Sequence, residues 1–94
     1  MSTELKIKST LKLVHDLLVK KNSNYGDSAL NPSKIFWKGS ALDGLCARAD
    51  DKLMRIKNVG LSDATEDTLL DLIGYLVLIY IARNDGGSDH RQDG

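Results

Sequence analysis

Asp67 and Asp71 stand four residues apart, and Gly74 continues the same line one turn further on. On a helix this spacing puts both carboxylates on one face. Asp71 falls between Leu70 and Leu72, at the start of a long apolar run. A carboxylate there is costly unless it is paired or binds a cation. The segment before it supplies cations: Arg48, Asp51, Lys52 and Arg55 are related by steps of three and four and form one mixed-charge helix face. Two chemistries fit this pattern. Lys52 and Arg55 can clamp Asp67 and Asp71 in an ion network that fixes the register of two helices. Alternatively, the same face lines a pocket in which Lys and Arg meet phosphate oxygens while the carboxylates hold magnesium or a ribose hydroxyl.

A second candidate is Lys20-Lys21-Asn22-Ser23-Asn24-Tyr25-Gly26-Asp27. Lysines, amides, a hydroxyl and one aromatic ring gather where a loop leaves a helix. Tyr25 is suited to stack on a base and Lys21 to contact a phosphate. A solvated helix end, with Gly26 in a left-handed turn, accounts for the same residues. His15, beside an apolar stripe, has no carboxylate or cysteine constellation and reads as a half-buried surface histidine. Cys46, next to Leu45, reads as a small core residue, and Phe36 and Trp37 as packing. No phosphate-binding glycine loop, nucleophile elbow, zinc-protease helix or dinucleotide fingerprint is present in the sequence.

The spacing of apolar residues predicts the elements that carry these groups. A first helix is expected from about Thr3 to Lys21, on the stripe Ile7, Leu11, Val14 and Leu18. A short helix should follow, with Asn31 as cap, Pro32 in its first turn and Gly39 at its exit. Ser40 should cap a third helix that carries Leu42, Leu45, Ala49, Leu53 and Ile56 and ends near Lys57. Ser62 or Thr65 should cap the last one. Asp63, Glu66 and Asp67 would then lie at its electropositive end.

Leu69 to Ala82 is apolar on nearly every face. A helix apolar all round must be buried all round, and the rest of so short a chain cannot surround it. Each Leu or Ile taken out of water is worth roughly 1.5–3 kcal/mol. The expected fold is therefore all-α, a small bundle of three long helices plus one short, completed by homo-oligomerisation as a dimer or tetramer. One domain over residues 1–84 is expected, and 85–94, acidic and Gly-rich, reads as a disordered tail.

The 94 residues carry no net charge, but the charge is unevenly placed. Residues 1–60 hold eleven Lys/Arg against six Asp/Glu, and residues 61–94 hold two against seven. A local basic cluster can still face an anion, while the overall balance argues against a duplex-nucleic-acid partner. A single cysteine excludes an intrachain disulfide. With no signal-peptide core and no bilayer-length apolar run, the expectation is a cytoplasmic protein without a membrane partner.

Three segments occur in order: Lys21-Asn22-Ser23-Asn24-Tyr25-Gly26-Asp27-Ser28, Arg48-Ala49-Asp50-Asp51-Lys52-Leu53-Met54-Arg55-Ile56, and Glu66-Asp67-Thr68-Leu69-Leu70-Asp71-Leu72-Ile73-Gly74-Tyr75. Together they resemble the nucleotide-modification-associated domain 1 family of phage and bacterial proteins. That pattern is a K-N-x-D/N-Y-G turn, a D-K-x-x-R helix and a D-T-L-x-D-L-x-x-Y helix, over about residues 10–83. The family is distantly similar to the MazG-like all-α nucleotide pyrophosphohydrolases, helical oligomers that grip magnesium through an E-E-x-x-E helix and an E-x-x-D helix. The resemblance places Asp67 and Asp71 on the second of these. The first motif is missing: Asp50-Asp51-Lys52-Leu53-Met54-Arg55 has cations where carboxylates are expected. Hydrolysis with clustered metals needs about four converging carboxylates.

What the resemblance implies is an oligomer that binds a nucleotide and sequesters it without hydrolysis, in the manner of phage anti-defence sponges that trap cyclic dinucleotide signals in the host cytoplasm. The ligand-binding set would be Lys21, Asn22, Tyr25, Arg48, Asp51, Lys52, Arg55, Asp67 and Asp71, with no catalytic residue and no cofactor. The alternative is a magnesium-dependent pyrophosphohydrolase with Asp51, Glu66, Asp67 and Asp71 as metal ligands. A third reading, a structural partner protein, makes the charged face an ion network only.

Overall fold

The computed structural model describes residues 1–85 and is all-helical there, with α1 spanning Thr3–Asn24, α2 Ala41–Val59 and α3 Thr68–Asp85. No helix among the described residues is long and apolar enough to cross a membrane.

Each start is set by a side chain that satisfies an otherwise unpaired amide. Ser2 accepts from the Leu5 amide at 3.1 Å, and Ser40 accepts from the Asp43 amide at 3.1 Å. α3 begins later than the sequence suggests. Asp67 caps it, accepting from the Leu70 amide at 3.0 Å, so neither Ser62 nor Thr65 does. Thr65 is instead occupied by Asp63 and Arg55.

Both earlier helices outrun their expected ends. α1 continues through Asn22 and Asn24, and the Tyr25 amide donates to the Lys21 carbonyl. α2 closes at Gly60, whose amide donates to the Ile56 carbonyl at 2.8 Å from a backbone at φ 86°. That φ and the extended ψ beside it suit glycine almost alone. Gly60→Ala is expected to cost about 1 kcal/mol or more, read as a lower midpoint in urea unfolding.

The short helix expected between Asn31 and Gly39 does not form: residues 31–40 run as bends and irregular chain. Lys34 sits at φ 58°, outside the right-handed helical region, which interrupts any helix there. Ile35 and Phe36 are exposed, so the segment has no buried face to stabilise one.

α3 lies at the centre. It packs along α2 and against the second half of α1, while α1 and α2 do not pack on each other. The core is Val14 from α1, Leu45 and Ala49 from α2, and Leu72 and Ala82 from α3. Of the α1 stripe, Val14 is buried and Leu18 half-buried, whereas Ile7 and Leu11 stand in solvent. On α3 the side turned from both neighbours leaves Leu69, Leu76, Val77 and Tyr80 exposed. Asn84 and Asp85 complete the last turn of α3, and the remainder of the expected tail, 86–94, lies outside the described residues.

Candidate functional site

Where α1 ends, three elements meet around a cleft of about 360 Å³. α1 brings Leu17, Leu18, Lys21 and Asn22, and the turn after it brings Tyr25, Ser28 and Ala29. Arg48 comes from α2, and Asp71, Gly74, Tyr75 and Leu78 from α3. The lining combines apolar side chains with a few polar and charged groups, the usual composition of a small-molecule site. Gly74 lets α1 come close: a Cβ there would lie 3.0 Å from the Leu18 side chain.

Five of the nine residues singled out from sequence therefore share one cavity: Lys21, Asn22, Tyr25, Arg48 and Asp71. Asp71, 18% exposed, sits between two cations, with Lys21 Nζ at 3.1 Å and Lys52 Nζ at 3.4 Å. Lys52 also meets Glu66 at 2.7 Å. The Glu66 hydrogen bond, aided by Asp71, raises the Lys52 pKa above its ordinary value against the opposing effect of burial. Lys52 is thus a structural cation that ties α2 to the approach and first turn of α3.

Arg55 and Asp67 lie elsewhere. The Arg55 guanidinium pairs with Asp63, donates to the Thr65 hydroxyl and approaches Glu66 at 3.6 Å. Asp67 spends its carboxylate on the α3 cap. The expected clamp of Arg55 on Asp67 is replaced by Arg55 on Asp63.

Asp63 is nearly enclosed, with 6% of its side chain exposed. The Arg55 guanidinium, then the Thr65 amide and hydroxyl, hold its carboxyl well below the usual carboxylate range. A depressed carboxylate stabilises the fold above its unfolded-state pKa and loses that contribution as pH falls toward its folded value. Asp63→Asn should therefore lower the thermal midpoint at neutral pH by a constant amount down to about pH 5, and by progressively less below about pH 4. Melting curves of both proteins across that range check it.

Arg48 differs from Lys21, Lys52 and Arg55. It has no carboxylate partner among the described residues, and it lines a second cavity of about 250 Å³ as well as the first. Asp51 and Trp37 line that second cavity too, with Ser28 and Ala29 as the shared wall. Sequence spacing missed Trp37 because the segment that carries it is irregular and has no periodicity to read. It also missed Tyr75, whose place on an apolar helix suggests packing.

The carboxylates Asp51, Glu66, Asp67 and Asp71 do not converge as a metal set would. Asp51 faces the second cavity, Asp67 caps α3, and Glu66 and Asp71 share Lys52. Among the described residues no group of three or more His, Cys, Asp or Glu side chains is placed to hold a metal ion. These residues do not fit the clustered magnesium site of the hydrolase alternative. No family model, curated protein or solved structure matches this chain.

Proposed function

We propose that this protein binds a phosphate-bearing nucleotide in the cleft between α1, α2 and α3, and sequesters it without hydrolysis. The observation that carries the reading is the meeting of Lys21, Asn22, Tyr25 and Arg48 around one cleft, from two segments 23 or more residues apart. Lys21 and Arg48 meet phosphate oxygens, Arg48 with the forked geometry that suits them. Tyr25, 69% exposed, offers its ring to a base.

Sequestration is the better-supported outcome because Glu66 and Asp71 are engaged by cations, Asp67 by a helix cap, and Asp51 lines the other cavity, so the four carboxylates are not gathered on one point. The ligand class is a cyclic dinucleotide signal, which fits the resemblance to phage proteins and a role in the host cytoplasm. The protein works as a homo-oligomer. Support comes from Leu69, Leu76, Val77 and Tyr80 on the outer side of α3, and from Leu5, Ile7 and Leu11 on α1, all exposed in the single chain. A two-fold assembly presents two clefts to a ligand that carries two bases and two phosphates.

Calorimetry with a panel of cyclic dinucleotides, followed by chromatography of the recovered ligand, tests the reading. The expected result is binding at micromolar concentrations or tighter with the ligand recovered intact. Absence of heat, or conversion of the ligand to products, would overturn it.

A further inference from the structure

The second cavity shares Ser28, Ala29 and Arg48 with the first. Its lining combines small or apolar residues (Pro32, Ala41, Gly44, Ala47) with one indole, one guanidinium and one carboxylate. Trp37 is seated by two glycines. A Cβ at Gly39 would fall 2.1 Å from the indole, and one at Gly44 would fall 3.0 Å from it. A side chain at Gly39 would displace the ring and one at Gly44 would crowd it, and the indole stays 47% exposed. A half-exposed indole packed against two glycines can serve as a stacking platform, and stacking a base on an aromatic ring is worth about 1–3 kcal/mol.

Asp51 lies one helical turn from Arg48 on α2 and has no cation partner among the described residues. The other carboxylate that lines either cavity, Asp71, is engaged by Lys21 and Lys52. An ionised carboxylate only accepts hydrogen bonds, through two oxygens side by side. Guanine presents two adjacent donors on its Watson–Crick edge, the ring N1–H and the exocyclic amino group. Adenine presents one donor beside an acceptor, and the acceptor would face a carboxylate oxygen.

We propose that the cavity formed by Trp37, Arg48 and Asp51 is a guanine-selective base slot, with the indole stacking on the base and Asp51 accepting its two donors. Arg48 lines both cavities, so that a phosphate and the base on Tyr25 are held in the first while the second base of the dinucleotide occupies the second. This inference rests on the nucleotide-binding reading and adds base selectivity to it.

Trp37 is the only tryptophan in the sequence, so its emission reports this cavity directly. The test titrates the full chain with cyclic di-GMP and with cyclic di-AMP, recording tryptophan emission and calorimetric heat in parallel. The guanine ligand is expected to change the emission and to bind about tenfold or more tightly than the adenine ligand. Asp51→Asn, at an exposed position without a partner to orphan, should fold normally and bind both ligands with nearly equal affinity. Equal affinities in the unaltered protein, a preference retained by Asp51→Asn, or binding heat without any change in emission would each overturn the slot while leaving nucleotide binding in place. Binding of neither ligand would overturn both.

Discussion

Arg48→Ala is expected to weaken cyclic-dinucleotide binding by about tenfold to a hundredfold while leaving the unfolding midpoint unchanged. The expectation follows from what Arg48 lacks. It is exposed, and among the described residues no carboxylate holds it, so its removal leaves no buried charge behind. Its guanidinium borders both cavities, and a phosphate placed between them loses a charge-assisted, two-pronged contact when it goes. Arg55→Ala should do the reverse. It strips the enclosed Asp63 of its main partner, so stability falls while binding changes little. Calorimetry and thermal unfolding on the two variants separate a binding cation from a structural one. Loss of stability without loss of binding in Arg48→Ala would return Arg48 to the ion network.

Asp71→Ala should destabilise the fold by about 2 kcal/mol, or roughly 10 °C in the melting midpoint of a domain this small. The carboxylate is 18% exposed and Lys52 is 22% exposed, so both are partly withdrawn from water. Removing Asp71 leaves Lys52 with Glu66 alone and frees Lys21 to swing into solvent. The cost stays below the roughly 3–5 kcal/mol of a fully buried broken pair because water reaches the site and Glu66 remains. Affinity should fall less than for Arg48→Ala, since Asp71 acts by placing Lys21. A variant that kept its stability and lost its ligand would show that Asp71 contacts the ligand itself.

Much of this arrangement was legible in the residues before the structure. The apolar stripe of α2 and the Ser40 cap gave that helix almost to its ends, because periodicity and capping chemistry agree there. Spacing leaves the turn with Lys21 and Tyr25 and the face with Arg48 and Asp71 as separate candidates. Only the resemblance groups them in one ligand set, and these four, with Asn22 of the same set, line one cleft. Asp67 shows where spacing fails. Its distance of four from Asp71 suggests a shared face, yet it stands at the cap, where its carboxylate turns to the Leu70 amide. Spacing points Arg55 to the wrong partner for a related reason. The loop from Gly60 to Asp67 has no period, so nothing in it specifies that Asp63 rather than Asp67 meets the guanidinium.

The segment from Asn31 to Gly39 was the least legible. Cap-like residues at both ends suggest a helix, but a helix so short needs an apolar face packed on a core. Ile35 and Phe36 find none in the single chain, and the left-handed Lys34 turns the backbone away. Trp37 reached the second cavity by that irregular route, which explains why its packing with glycines could not be read from spacing. The exposed apolar side of α3, by contrast, follows directly from a helix with more hydrophobic faces than the chain has partners for.

Native mass spectrometry of the full chain with an added cyclic dinucleotide tests the central claim most directly, because it reports subunit number and bound mass in one spectrum. The account predicts an assembly at a multiple of the 10.3 kDa chain that carries the intact nucleotide. A single chain with no adduct, at protein and ligand concentrations well above micromolar, would contradict it.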